Sequence, residues 1–398
     1  MRESPVAPAR AGRSLVVVLG ALTVLGPFAI DMYLPALPQI ARELGVEMGA
    51  VELTLSVFMI GVAVGQAFYG PIVDRWGRRG PLLIGMAVFT VAAVACARAQ
   101  SLGALLAWRL VMALGGSASM VVPRAVVRDF FNERESARVY SLLMLILGAS
   151  PILAPTVGGQ LLAVTGWRGI FWALAALGVV FAATVAWWLP ESLPRAQRVP
   201  LELGRALRTY GRLLVDRRFI GPALAAGCTL GAIFTYVAGS PAVFIELHGL
   251  TPAQFALVFG FNGLGLVVAS QVNRWLLRTH APRVVLLGAF LTMAVAGLAL
   301  ALVGATGWGG WLPLVALLFV TLSSAGVIFP NIAALAMAPF GEVAGSASAM
   351  LGTVQFTVGA GAGALTGLLH NGTAVPMTAG VAGCAVTGWI IVRILVGR

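Results

Sequence analysis

Asp31 sits in the run Ile30-Asp31-Met32-Tyr33-Leu34-Pro35 and is expected to be the only acidic residue deep inside any long apolar stretch. An ionised carboxylate away from water is costly unless paired, so a residue placed like this either carries a proton or holds a partner. The matching cation is Arg109, in Trp108-Arg109-Leu110-Val111-Met112. At a helical rise of about 1.5 Å per residue the two fall at similar depth and could face one cavity. The balance between ion pairing and loss of water would then decide whether Asp31 holds its proton. A static buried pair joining two helices is the competing expectation. A third group of charges lies in the short loop Gly70-Pro71-Ile72-Val73-Asp74-Arg75-Trp76-Gly77-Arg78-Arg79, where Gly77 permits a tight turn. Asp74, Arg78 and Arg79 are expected to pair with Asp129 or Glu133.

These residues must be positioned by membrane-spanning helices. The chain is 59% hydrophobic and only 10% charged, too apolar for a soluble core. Backbone groups in lipid must pair internally, so runs of about 20 apolar residues read as helices. The sequence predicts twelve, over 14–37, 50–73, 81–99, 102–128, 139–163, 169–189, 219–245, 253–277, 283–305, 311–338, 345–369 and 375–396. Trp167, Trp187, Trp188, Trp275, Trp308 and Trp311 fall at predicted ends, where an interfacial aromatic belt belongs. The net charge of +12 comes entirely from Arg, since there is no Lys. With the N-terminus inside, only Arg42, Arg98 and Arg168 fall outside and Arg109 lies within a helix. That is positive-inside topology, so no nucleic-acid partner is expected.

Cys96, Cys228 and Cys384 lie far apart within predicted spans, which argues against a disulfide framework or a metal site. His248, His280 and His370 lie near loops without ligand spacing, and no nucleophile–base pair is apparent. No enzyme, metal or cofactor is therefore expected. The first apolar run is expected to be a retained helix, since no A-x-A-like cleavage site follows it.

The fold class expected is an all-α polytopic membrane protein with both termini cytoplasmic. It divides into a tail (1–13), a six-helix bundle (14–189), a cytoplasmic linker (190–218) and a second six-helix bundle (219–398). Within the linker Leu203, Leu207, Tyr210 and Leu214 lie opposite Arg205, Arg208 and Arg212, a pattern that suits a helix on the membrane surface; a solvated linker is the alternative. An offset of 204 residues aligns Gly45 with Gly249, Gly61 with Gly265 and Arg79 with Arg283, as parallel repeats would.

The charged loop resembles the signature loop of the major facilitator superfamily, whose members are secondary transporters. Four further segments resemble its bicyclomycin-resistance (Bcr/CflA) drug exporters. They are Ile30 to Pro38, Ala67-Phe68-Tyr69-Gly70-Pro71, Tyr236 to Pro241 with Phe244 to Leu247, and Gly345 to Ala349 with Gly352 to Phe356. Trp108 to Gly116 is similar to the helix-four motif, with Met112 where a Gln is usual. Gly148-Ala149-Ser150-Pro151-Ile152-Leu153-Ala154-Pro155-Thr156-Val157-Gly158-Gly159 resembles the antiporter motif, with Ala154 in place of the commoner Gly. The family implies a drug:proton antiporter in the bacterial plasma membrane, driven by the proton gradient. It assigns substrate and proton handling to Asp31; the residues themselves add Arg109 as the expected partner in proton coupling and give gating to Asp74, Arg75, Gly77, Arg78, Arg79, Asp129 and Glu133. A bendable seal against proton leak falls to Gly148, Pro151, Pro155, Gly158 and Gly159.

Candidate drug contacts are Tyr33, Met112, Met120, Phe234, Tyr236, Asn262, Asn331, Gln355 and Phe356, because adaptable Met and aromatic surfaces suit varied ligands. Any one of them, taken alone, is more often core than contact. The expected partners are amphipathic drugs, such as bicyclomycin, chloramphenicol-type antibiotics or sulfonamides, together with protons and lipid. A monomer is expected. A proton-coupled metabolite or nutrient transporter of the same fold is the alternative.

Overall fold

The structure is a computed structural model that describes residues 9–131, 133–194, 198 and 203–396. The described residues contain helices and no strands. Among the described residues ten helical segments are long and apolar enough to cross a membrane, from Leu15–Leu44 to Val375–Ile394.

The first span is broken where the sequence predicts one helix over 14–37. Helix α1 (Ala9–Asp31) stops at Asp31, a single 3-10 turn covers Leu34–Ala36, and α2 (Leu37–Leu44) ends on Gly45 at φ +63°. Pro35 lacks the N–H that would bond the Asp31 carbonyl and Pro38 the one that would bond Leu34, so the ladder cannot run on through this segment. Helix α3 (Met48–Trp76) closes on Gly77 at φ +90° and leads into α4 (Arg79–Ala97). A side chain at Gly77 would be strained and would also press on the Glu191 carboxylate. The predicted span 102–128 is two helices, α5 (Leu102–Gly116) and α6 (Ala118–Phe130), divided at Ser117.

Helix α7 (Glu133–Trp188) is two helices joined at Gly166, whose φ of +68° turns the chain. Trp167 beside it is fully buried and donates to Glu43 at 2.8 Å. It therefore packs inside the protein, unlike Trp187, Trp188, Trp275 and Trp308, which are exposed. The linker forms α8 (Leu203–Val215), which seats Tyr210 and Leu213 against the body and points Leu207 and Leu214 outward.

After it come α9 (Arg217–Pro241), α10 (Pro252–Leu276), α11 (Pro282–Thr306), α12 (Trp311–Met337), α13 (Ala344–Leu368) and α14 (Val375–Ile391). Asp216 accepts from Arg218 N–H at the start of α9, and Thr251 with Gln254 forms a capping box on α10. Segments on the two sides of the linker meet along two seams. Helices α3 and α13 run antiparallel, with Gly49 against Gly367, Ser56 against Gly363 and Gln66 against Gly352. In the other seam Gly159 of α7 meets Pro252 of α10, and Pro151 meets Gly263. Small residues let these backbones approach closely. The end carrying the Asp74–Arg79 loop is called the hinge end below, and the opposite end the far end.

Candidate functional site

The break in the first span creates the central site. Asp31 is buried at the point where α1 stops, and among the described residues its carboxylate has neither a hydrogen bond nor an ion pair. Arg109 reaches the same helix end by a different route. Its Nη1 donates to the Ala29 carbonyl at 2.7 Å, one of the last carbonyls of α1. A cation there is also favoured by the helix dipole. The guanidinium carbon lies 4.3 Å from the Phe58 ring centre, 4.7 Å from Tyr33 and 6.0 Å from Phe171. These π faces offset the loss of water from a fully buried cation. The pairing of Asp31 with Arg109 that equal depth suggested is not formed. Depth along a helix does not fix rotation, and the freed carbonyl at Ala29 captured the guanidinium.

Across the interface from Asp31 lies a cluster from the segment after the linker. Asp31 is within electrostatic reach of the Tyr236 hydroxyl, which accepts from Asn262 Nδ2 at 3.1 Å. The Tyr236 ring stacks on Phe259 at 5.2 Å. Tyr33 is wholly buried with its hydroxyl 3.0 Å from Thr54 Oγ1. Nearer the hinge end Phe234 packs on Phe356 at 5.9 Å, and Gln66 donates to the Met120 sulfur at 3.8 Å. Gln355 and Phe356 are half-buried on α13, whereas Met112 is fully buried core on α5. Asn331 is not part of this group. It donates to Asn273 Oδ1 at 2.7 Å, and Asn273 lies eleven residues beyond Asn262 on α10, about 16 Å toward the hinge end at the helical rise.

The α7 motif lies against the same site. A Cβ on Gly158 would fall on the Met32 backbone, 2.7 Å from its carbonyl carbon, so this glycine lets α7 lie directly on the turn that follows Asp31. Pro151 and Gly159 face α10 and Pro155 is buried; the surroundings of Gly148 and Glu133 lie outside what is described.

At the hinge end, Arg78 is the centre of the charge cluster. It donates from Nε to Asp129 at 2.9 Å and from Nη1 to Asp74 and the Val73 carbonyl, both at 2.7 Å. Burial alone would lower its pKa, but Asp129 and Asp74 outweigh that and hold it above the ordinary value. Arg79 reaches the Ala186 carbonyl, while Arg75 is exposed over the Trp76 ring and does not join the cluster. Two participants were missed in the sequence. Glu191 accepts from the N–H groups of Arg78 at 2.8 Å and Arg79 at 3.3 Å, and Ser192 donates to Asp129 at 2.7 Å. Glu191 thus satisfies the first donors of α4, a role its place in the linker, 112–113 residues from Arg78 and Arg79, gives no local sign of.

The side chain of Arg78 is 3% exposed and that of Asp74 49%. Arg78→Leu should therefore cost about 3 kcal/mol by leaving Asp129 uncompensated. Asp74→Asn should cost less than about 1 kcal/mol. Thermal unfolding of the purified protein reads the order, and equal losses would contradict this arrangement.

Asp31 is also not the only buried acid. Glu52, in the second turn of α3, is fully buried with both carboxylate oxygens lacking a hydrogen bond. The sequence predicts a span beginning at residue 50, which placed Glu52 at a wet end.

The family model described as Major Facilitator Superfamily matches residues 19–364. The chain is 36% identical to the uncharacterized MFS-type transporter YdgK of Bacillus subtilis, over 92% of this chain and 91% of that one. It is 30% identical to the bicyclomycin resistance protein homolog of Haemophilus influenzae, over 96% of each. The multidrug resistance protein MdtL of Salmonella heidelberg is 32% identical over 84% of this chain and 83% of its own. Among solved structures, a D-xylose-proton symporter superposes with a TM-score of 0.76 at 14% identity, covering 97% of this chain and 99% of the other.

Proposed function

The chain belongs to the major facilitator superfamily and is a multi-pass inner-membrane transporter, not an enzyme, and we propose that it exports amphipathic drugs in exchange for protons. Twelve spans in two six-helix halves, 14–189 and 219–398, would alternate access about the central site. The arginine asymmetry supports a cytoplasmic hinge end and cytoplasmic termini.

The observation that carries the reading is Asp31, buried where α1 breaks and without a hydrogen bond or ion pair among the described residues. An ionised carboxylate there is costly without a partner, so the site suits a proton that leaves when a drug enters. Asp31 binds the proton from outside and releases it inward. Arg109 acts as a positioning residue, holding the end of α1 by its bond to Ala29. The Arg78 cluster holds the loop between α3 and α4 as the inner gate works. No cofactor enters this scheme.

The drug class rests on the names of two relatives and on the lining. Met120, Phe234 and Phe356 offer adaptable apolar contact. The rival metabolite transporter would need several free polar groups for its cargo; here Asn331 is bound to Asn273 and Asn262 donates to Tyr236, which leaves its Oδ1 without a partner among the described residues. A susceptibility panel in a drug-sensitive host tests the proposal. Expression should raise resistance to bicyclomycin, a chloramphenicol-type drug or a sulfonamide, and an uncoupler should abolish the gain. No gain with any of these drugs, or a gain indifferent to the uncoupler, would contradict it.

A further inference from the structure

We propose that Glu52, with His370 beside it, is a second proton-binding site, separate from Asp31, that holds the far end of the transporter closed when it takes up a proton. The site is built at the seam between the two segments. Glu52 belongs to α3, and His370 follows the end of α13, with its Nδ1 3.6 Å from Glu52 Oε1. That is ion-pair distance but too long for a hydrogen bond, and among the described residues neither carboxylate oxygen has any other partner. Just above it the backbones of Gly49 and Gly367 touch: a Cβ on Gly367 would lie 2.7 Å from the Gly49 carbonyl oxygen. That contact seals Glu52 from water, so its environment depends on the two helices being together.

The other charged groups at this end are turned elsewhere. Glu43 of α2 holds Arg168 at 2.6 Å, Arg109 of α5 caps α1, and Arg98 after α4 lies over Trp172. Arg42 and the N-cap residue Glu47 are exposed, and the charges of α6 lie at the hinge end. Glu246, on the turn after α9, is exposed and acts on Glu52 only as a like charge. Among the described residues no fixed cation is therefore available to neutralise Glu52 once the seam closes. One proton does it, whether it stays on the carboxyl group or forms the imidazolium of His370 opposite the carboxylate. When the seam parts, water reaches both groups and the proton is free to leave.

The closed far end thus holds one proton more than the open one, and the linkage sign follows. Raising the pH favours opening, and the closed-to-open ratio changes by up to about tenfold per pH unit. The proton enters and leaves on the same side, so this site biases the cycle without adding to the protons carried across. In the proposed orientation, acid outside would hold the outer end shut until drug drives it open.

The inference rests on alternating access but not on the cargo, and its test needs neither drug nor gradient. Labels at Gln100→Cys and Trp308→Cys, exposed far-end positions on the two sides of the linker, report the opening as a distance distribution. The native cysteines are replaced in this background. Wild type should shift toward longer distances as pH rises. Glu52→Gln, which keeps shape without titrating, should stay closed and lose the response, while Asp31→Asn should keep it. Should Glu52→Gln not fold, Glu52→Met carries the same expectation. A wild-type response in the Glu52 variant, or no response in wild type, would overturn the proposal. Efflux lost in Asp31→Asn is read separately, so either proposal can fail alone.

Discussion

Asp31→Asn should insert at wild-type levels and confer no drug resistance. The amide keeps the size and shape of the carboxyl group, so helix packing has little reason to change. It cannot take up or give up a proton, and a carrier without that step can equilibrate drug but cannot drive it uphill. Energy-dependent efflux should fall to the level of cells lacking the protein, while drug binding to the purified variant persists. If Asp31 were only a permanently neutral hydrogen-bonding group, asparagine would serve as well and resistance would survive.

Gly158→Ala should be the most damaging single methyl addition near the site. The new Cβ would overlap the carbonyl of Met32, and a backbone group cannot swing aside as a flexible side chain can. Either α7 moves off α1, or the turn carrying Asp31, Met32 and Tyr33 shifts. Overpacking of this kind costs about 1–3 kcal/mol, and here it also displaces the proton site. Transport should fall more than tenfold, roughly what a cost of about 2 kcal/mol implies if the displaced state cannot work. Gly361→Ala on α13 is the control. Nothing lies within 4 Å of its added Cβ, so only helix propensity changes, by up to about 1 kcal/mol in favour of the helix. Thermal unfolding and efflux rates of the pair test this, and a wild-type Gly158→Ala would show that α7 does not rest on that turn.

The legible parts of the site were those whose partners are close in sequence or fixed by turn geometry. Arg78 and Asp74 are one turn apart, Gly77 announces its turn, and Asp129 could be anticipated as their partner across one loop. Asp31 and Arg109 were individually conspicuous because charge in an apolar run is rare. Their relation was misread because helical rise gives depth without rotation. Pro35 and Pro38 are visible signals of a broken helix, whereas the apolar run alone predicts a single span through them. Glu52 was illegible for a different reason. Its burial depends on Gly49 meeting Gly367 from the far side of the linker, and no local pattern announces that contact. Trp167 shows the same limit: an aromatic at a predicted helix end looked interfacial, but the Gly166 turn folds it inward onto Glu43.

Proton release from purified protein tests the central claim most directly. Drug added to the wild-type transporter in weakly buffered solution should expel protons into the medium, because drug and proton compete for the Asp31 site. Asp31→Asn should bind drug and release none. Release of wild-type size from that variant would contradict the account and move the coupling site elsewhere.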